Sequence, residues 1–276
     1  MDQGQDIVLV LGLASCVLAL AVLLKFYLPK RSPFTVTWDL VREHAWSTQS
    51  LFYLLTLAGI ICLDILETKY DASITQFLHW DFTSLFLRLE GSAGALFQVV
   101  HFPLLTYGLS VLYLYVFPVM GIAAVMACAA EGRGDISRKI FWAAVFNYVL
   151  ILPFYLLVPV SERWGAGDGQ VLLLMNEISP LLIQGLRPLS GLNNCFPSFH
   201  CSLALTFALI TSASPNKRLR RTTLTLALLI VFSTLYLGFH WVLDVFAGAL
   251  FAAGCSLLAT WAVERYPMEL ALFRAR

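Results

Sequence analysis

Apolar runs of about twenty residues, parted by short polar breaks, recur along most of this chain. A hydrocarbon core takes roughly 20 apolar residues per helix. The pattern therefore predicts spans at 7–29, 50–67, 103–130, 140–160, 197–214, 222–239 and 241–263. The expected fold class is all-α, a polytopic membrane helical bundle of about seven spans. Two stretches, 68–102 and 161–196, are too interrupted by Gly, Pro and charge to cross, yet they are rich in Phe, Leu and Trp. They read as interfacial or re-entrant segments.

Composition agrees with the pattern. Of 276 residues, 59% are hydrophobic and 13% charged, against about a quarter charged in soluble domains. The first run carries Leu13-Ala14-Ser15-Cys16, which matches a lipoprotein cleavage box. Asp2 and Asp6 stand where a signal peptide has positive charge, and the run continues to Leu28, so an uncleaved anchor is expected.

Net charge of +1 offers no electrostatic footprint for nucleic acid, and none is expected as a partner. The distribution between loops is more informative. Lys30, Arg31 and Arg42 follow the first span, Arg133, Arg138 and Lys139 the third, and Lys217, Arg218, Arg220 and Arg221 the fifth. With seven spans these loops fall on one side together with Arg265, Arg274 and Arg276. The positive-inside bias makes that side cytoplasmic and places the N-terminus and the segment around 190–200 outside, in a plasma-membrane protein.

Two short sequences carry chemistry. Asn193-Asn194-Cys195-Phe196-Pro197-Ser198-Phe199-His200 reads as a helix start, with Pro197 in the first turn and the asparagines as caps. The open N–H groups of Ser198, Phe199 and His200, at the positive end of a helix dipole, suit a phosphate-sized anion. Alone, His200 would read as an interfacial residue. The second sequence runs from Ser233-Thr234 to His240 and Asp244. A spacing of four puts the imidazole and carboxylate on one helical face, where Asp244 can hold Nδ1–H and leave Nε2 to attack.

These residues resemble the motifs of the phosphatidic acid phosphatase type 2 superfamily, membrane lipid phosphatases that share a six-helix core with vanadium haloperoxidases. Pro197-Ser198-Phe199-His200 is similar to its Pro-Ser-Gly-His motif, and Ser233-Thr234, His240 and Asp244 fall at the spacing of its last motif. The resemblance covers about 103–263. It implies that His240 is a nucleophile forming a phosphohistidine, Asp244 its orienter and His200 the acid for the leaving alkoxide. It also implies phosphate contacts from Ser198 and Phe199, with no metal or cofactor required.

Three departures redirect the reading. The family's first motif, Lys, six residues, Arg-Pro, is absent, Thr234 replaces the arginine of the last motif, and Phe199 replaces glycine. The same departures resemble the inositolphosphotransferase branch, the inositol phosphorylceramide synthase-like members, which passes the phosphoryl group to an alcohol. Arg163 and Arg187 are the candidates to replace the lost charge. The implied function is a lipid phosphotransferase or phosphatase whose favoured donor is a phosphodiester lipid, with an alcohol or sphingolipid-like acceptor. The alternatives are a lipid phosphate monoester or polyprenyl pyrophosphate phosphatase and, from another class, a non-catalytic transporter or scaffold.

The resulting division is an anchor helix and cytoplasmic loop over 1–49, a catalytic membrane domain over 50–263 and a cytoplasmic tail over 264–276. Asp64 and Glu67 share a face at the outer end of the second span and read as interfacial groups. Cys16, Cys62, Cys128 and Cys255 read as small buried hydrophobes. Cys195 and Cys201 lie near the external face, and no metal-ligand spacing joins the cysteines.

Overall fold

The computed structural model describes residues 3–44, 48–178 and 192–266. Its elements are α1 (Gln3–Tyr27), α2 (Pro33–His44), α3 (Thr48–Leu78), α4 (Thr83–Glu90), α5 (Pro103–Ala130), α6 (Gly134–Leu157), α7 (Phe199–Thr211), α8 (Lys217–Tyr236) and α9 (Val242–Arg265). Helix α5 is continuous through a π-turn at Leu112–Val116. The fold is an all-α polytopic bundle. Among the described residues six helices are long and apolar enough to cross a membrane: α1, α3, α5, α6, α8 and α9.

The expected seventh span, 197–214, is α7, which has 13 residues. At 1.5 Å per residue it is about 20 Å long, roughly 10 Å short of a hydrocarbon core. Packing compensates, because α7 lies among α5, α6, α8 and α9. Ser202 on α7 donates to Asn147 of α6, and Asn147 Nδ2 donates to Thr206 Oγ1 at 3.0 Å. Thr206 Oγ1 reaches the carbonyl of Ala252 on α9 at 3.4 Å. Such bonds fix helix pairs where apolar contact alone selects poorly. Gly248 permits the approach of α9, since a Cβ there would lie 2.7 Å from the carbonyl oxygen of Ser198.

The helices alternate in direction, and polar contacts identify the two ends. At one end Asn216 Nδ2 bonds Tyr27 O at 3.0 Å and Glu131 Oε1 at 2.8 Å, Arg31 Nη1 bonds Ala130 O at 3.1 Å, and Lys139 pairs with Glu264 at 2.7 Å. Arg31, Lys139 and the Lys217–Arg221 cluster beside Asn216 are therefore gathered there. Lys217 to Arg221, expected as loop, form the first turns of α8, capped by the Asn216 side chain.

The opposite end is closed by short elements. Helix α3 continues to Leu78, well past the expected end at 67, followed by α4 and a 3₁₀ turn at Ala93–Gln98. The segment after α6 folds back on the turn between α8 and α9: Arg163 N bonds Phe239 O, Trp164 N bonds Gly238 O and Leu174 N bonds Leu237 O, at 3.0, 3.0 and 3.2 Å. Gly238 has φ of 89°, and a Cβ there would lie 2.3 Å from Leu172 O, so only glycine fits. That turn delivers His240.

Candidate active site

The start of α7 is set by Ser198. Its Oγ accepts from Cys201 N at 3.2 Å, and its own N–H donates to Asp244 O at 3.1 Å. Pro197 follows a cis bond from Phe196 and lies before the cap rather than in the first turn. The Ser198 amide is thus committed, and the first-turn donors left without an intrahelical acceptor are those of Phe199 and His200.

The start of α9 uses a different cap. Asp244, at the third helical position, accepts from Trp241 N at 2.9 Å through Oδ2. His240 precedes the helix, so its meeting with Asp244 arises from this capping geometry and not from a shared helical face. Nδ1 of His240 lies 3.3 Å from Asp244 Oδ2. Asp244 is fully buried and His240 is 7% exposed.

A third group joins them. Cys195 Sγ donates to Asp244 Oδ2 at 2.9 Å and lies 3.2 Å from His240 Nδ1. Burial and the nearby Asp244 carboxylate push this thiol well above its ordinary pKa, so it is a donor at neutral pH. Cys195 and Cys201 are both free thiols. Spacing could not reveal the triad, because the chain between Cys195 and His240 makes a complete out-and-back pass through α7 and α8.

The His200 ring lies 6.1 Å from that of His240, centroid to centroid. Its neighbours are aromatic: Tyr113 lies parallel at 4.2 Å and Phe117 tilted at 4.5 Å. Tyr113 Oη also contacts His200 Nδ1 at 3.3 Å, leaving Nε2 as the second ring nitrogen. Tyr113 carried no signal in the sequence beyond being one of ten tyrosines.

Both histidines open on one cavity of about 140 Å³. Cys195, Phe199, Tyr113, Tyr148 and Tyr155 share its wall with three carboxylates, Asp64, Glu67 and Glu162, and among the described residues no Lys or Arg lines it. Asp64 accepts from Tyr148 Oη at 2.6 Å, and Glu67 Oε1 lies 3.5 Å from Asn194 Nδ2. The interfacial reading of Asp64 and Glu67 is corrected here. Because α3 runs on past 67, neither lies at a helix end: exposed Asp64 faces Tyr148 of α6, and buried Glu67 faces Asn194 ahead of α7.

The structure thus brings together His200, His240, Asp244, Ser198 and Phe199. Arg163 is elsewhere employed. Fully buried, it makes a two-pronged pair with Asp168 at 2.8 and 2.8 Å, reaches Gly91 O at 3.2 Å and covers the Trp241 ring at 4.6 Å. Arg187 lies outside the described residues. Thr234, at the place of the family arginine, is buried, with its hydroxyl turned back to Val231 O at 2.8 Å.

The PAP2 superfamily profile matches residues 76–258, more than half of the chain and both motif regions. The chain belongs to the PAP2 superfamily. With its apolar helices, it is a member of a family of membrane phosphatases and phosphotransferases. No curated protein and no solved structure matches it. The matched segment begins inside α3 and ends inside α9, so it contains every cavity-lining residue except Asp64, Glu67 and Thr68.

Proposed function

We propose that this chain is a membrane lipid phosphotransferase or phosphatase, acting through a phosphohistidine on His240 with a phosphodiester lipid as favoured donor. The observation that carries the reading is the pairing of two histidines on one cavity, one held by a buried carboxylate and the other by aromatic rings. Nε2 of His240 attacks phosphorus and the ester P–O bond breaks. His200, as the imidazolium, gives its Nε2 proton to the leaving alkoxide and is left as the neutral imidazole. An alcohol or water then attacks the phosphohistidine, His200 takes its proton, and the N–P bond breaks to restore His240. The Phe199 and His200 amides face the phosphate oxygens at the α7 start.

The diester preference rests on charge. A monoester near neutral pH carries up to about two negative charges and a diester one. A wall with three carboxylates and no cation among its described lining residues, and with Arg163 committed to Asp168, suits the smaller charge. The test is incubation of the purified protein with phosphatidylinositol, phosphatidic acid or a polyprenyl pyrophosphate, plus candidate alcohols, followed by product identification. Consumption of the diester with a new phosphodiester as product is expected. Efficient release of phosphate from phosphatidic acid or the pyrophosphate, with every diester ignored, would return the chain to the monoester phosphatases.

The reading includes an orientation: the N-terminus and cavity face the outside of the plasma membrane and the basic end faces the cytoplasm. Exposed Gln170 and Arg218 lie at opposite ends. With Cys62 removed, a cysteine at 170 should react with an impermeant maleimide on intact cells and one at 218 should not. The reverse pattern would invert the site.

A further inference from the structure

The Cys195–His240–Asp244 triad has the makings of a cation site that the phosphoryl chemistry does not use. Sγ, Nδ1 and Oδ2 form a triangle with edges of 2.9, 3.2 and 3.3 Å. A tetrahedral zinc ion with one thiolate, one imidazole and one carboxylate oxygen has ligand edges of about 3.4 to 3.6 Å. The Sγ–Oδ2 edge would widen by about 0.6 Å and the Sγ–Nδ1 edge by about 0.4 Å, within the reach of side-chain rotation.

The carboxylate is also unevenly served. Three donors crowd Oδ2 (Trp241 N–H, the Cys195 thiol and the His240 ring), whereas Oδ1 is buried with no hydrogen-bond partner. The buried carboxylate therefore keeps one oxygen uncompensated.

Access and charge point the same way. Cys195 and His240 both line the cavity, so a fourth coordination position faces it, and Asp64, Glu67 and Glu162 favour entry of a cation. One thiolate, one carboxylate and a divalent ion sum to zero, the arrangement that costs least in a buried place. Thiolate with imidazole selects a borderline-soft ion over magnesium or calcium.

We infer that Cys195, His240 and Asp244 form a binding site for a thiophilic divalent cation of the zinc class, and that occupancy arrests the enzyme. On binding, the thiol proton leaves to solvent, the ring proton on Nδ1 is exchanged through solvent to Nε2, and the Nδ1 lone pair so freed goes to the metal. With its lone pair taken up by that proton, Nε2 cannot attack phosphorus. The inhibitory half rests on His240 being the nucleophile as proposed above; the binding half does not.

The probe is cobalt(II), titrated into tag-free protein in detergent. One equivalent should produce a near-ultraviolet thiolate-to-cobalt band, which zinc displaces and Cys201→Ser retains. No band in the wild-type protein, or a band that survives in Cys195→Ser, overturns the site. The wild-type result stands even where Cys195→Ser fails to fold. Turnover of the best lipid donor should then fall to about a tenth at zinc tenfold above its Kd, and recover with chelator. Bound metal with undiminished turnover overturns the inhibitory half. Metal-free protein inactive on every lipid phosphate, yet binding cobalt, counts against the proposed function and leaves the site standing.

Discussion

The starts of α7 and α9 use the same backbone device and produce two different histidines. At α7 a neutral hydroxyl, Ser198, caps the helix, and His200 is the second helical residue, packed on Tyr113 and Phe117. At α9 a carboxylate caps from inside the helix, and His240 stands just before it with Nδ1 against that carboxylate. The carboxylate beside His240 offsets the positive charge that the proposed phosphohistidine step places on the ring. The His200 ring has aromatic neighbours, Tyr113 and Phe117, in place of a carboxylate. On the proposed mechanism, the choice of cap divides nucleophile from acid.

The sharpest way to break this comparison is to exchange histidine for alanine at each start. His240→Ala should abolish turnover and leave no acid-labile phosphoenzyme. His200→Ala should still form the phosphoenzyme from a donor with an activated leaving group such as p-nitrophenol, while losing natural lipid donors, whose alkoxide needs a proton. Phosphoenzyme in His240→Ala, or its equal loss in both variants with the activated donor, would remove the division of roles.

Asp244→Asn tests the α9 side alone. The amide oxygen can still accept from Trp241 N–H, so the cap largely survives, but the negative charge is lost. By analogy with neutralised orienters in hydrolase triads, kcat should fall by up to about 10⁴-fold. KM should change far less, because the donor is bound at the α7 start. A kcat within about tenfold of wild type would make Asp244 a helix cap and nothing more.

Most of the fold was legible in the apolar runs, and six of the seven expected spans match long helices. The seventh shows why length mattered: α7 carries an apolar sequence but is shielded by four helices, so 13 residues suffice. His200, His240 and Asp244 were readable because each lies in a short local motif. Tyr113, Cys195, Asp64 and Glu67 were not, since tertiary packing alone brings them there. Arg163 shows the reverse case: a charge beside a tryptophan looked available, and only the fold reveals Asp168 five residues on as its partner.

The Arg163–Asp168 pair has no counterpart at α7, and it supplies the smallest of these effects. The guanidinium lies on Trp241, the N-cap of α9, so it steadies the turn that presents His240. Asp168→Asn leaves a fully buried arginine without its anion, which costs about 3 kcal/mol, at the low end for a buried pair because Asp168 is partly exposed. The expected phenotype is a lower unfolding temperature in detergent, with kcat reduced and the KM for lipid donor little changed. A phosphate-binding Arg163 would instead raise KM when Arg163→Lys is measured beside it. Acid provides an independent check, because the Arg163 hydrogen bonds hold the Asp168 carboxyl below the usual carboxylate range. The pair's stabilisation is therefore fully present above the unfolded value of about 3.9 and is lost as pH falls through the lower folded value. Wild-type and Asp168→Asn unfolding temperatures should differ at pH 7 and converge below about pH 4; a gap that stays constant across that range would mean that the charge on Asp168 is not what holds Arg163.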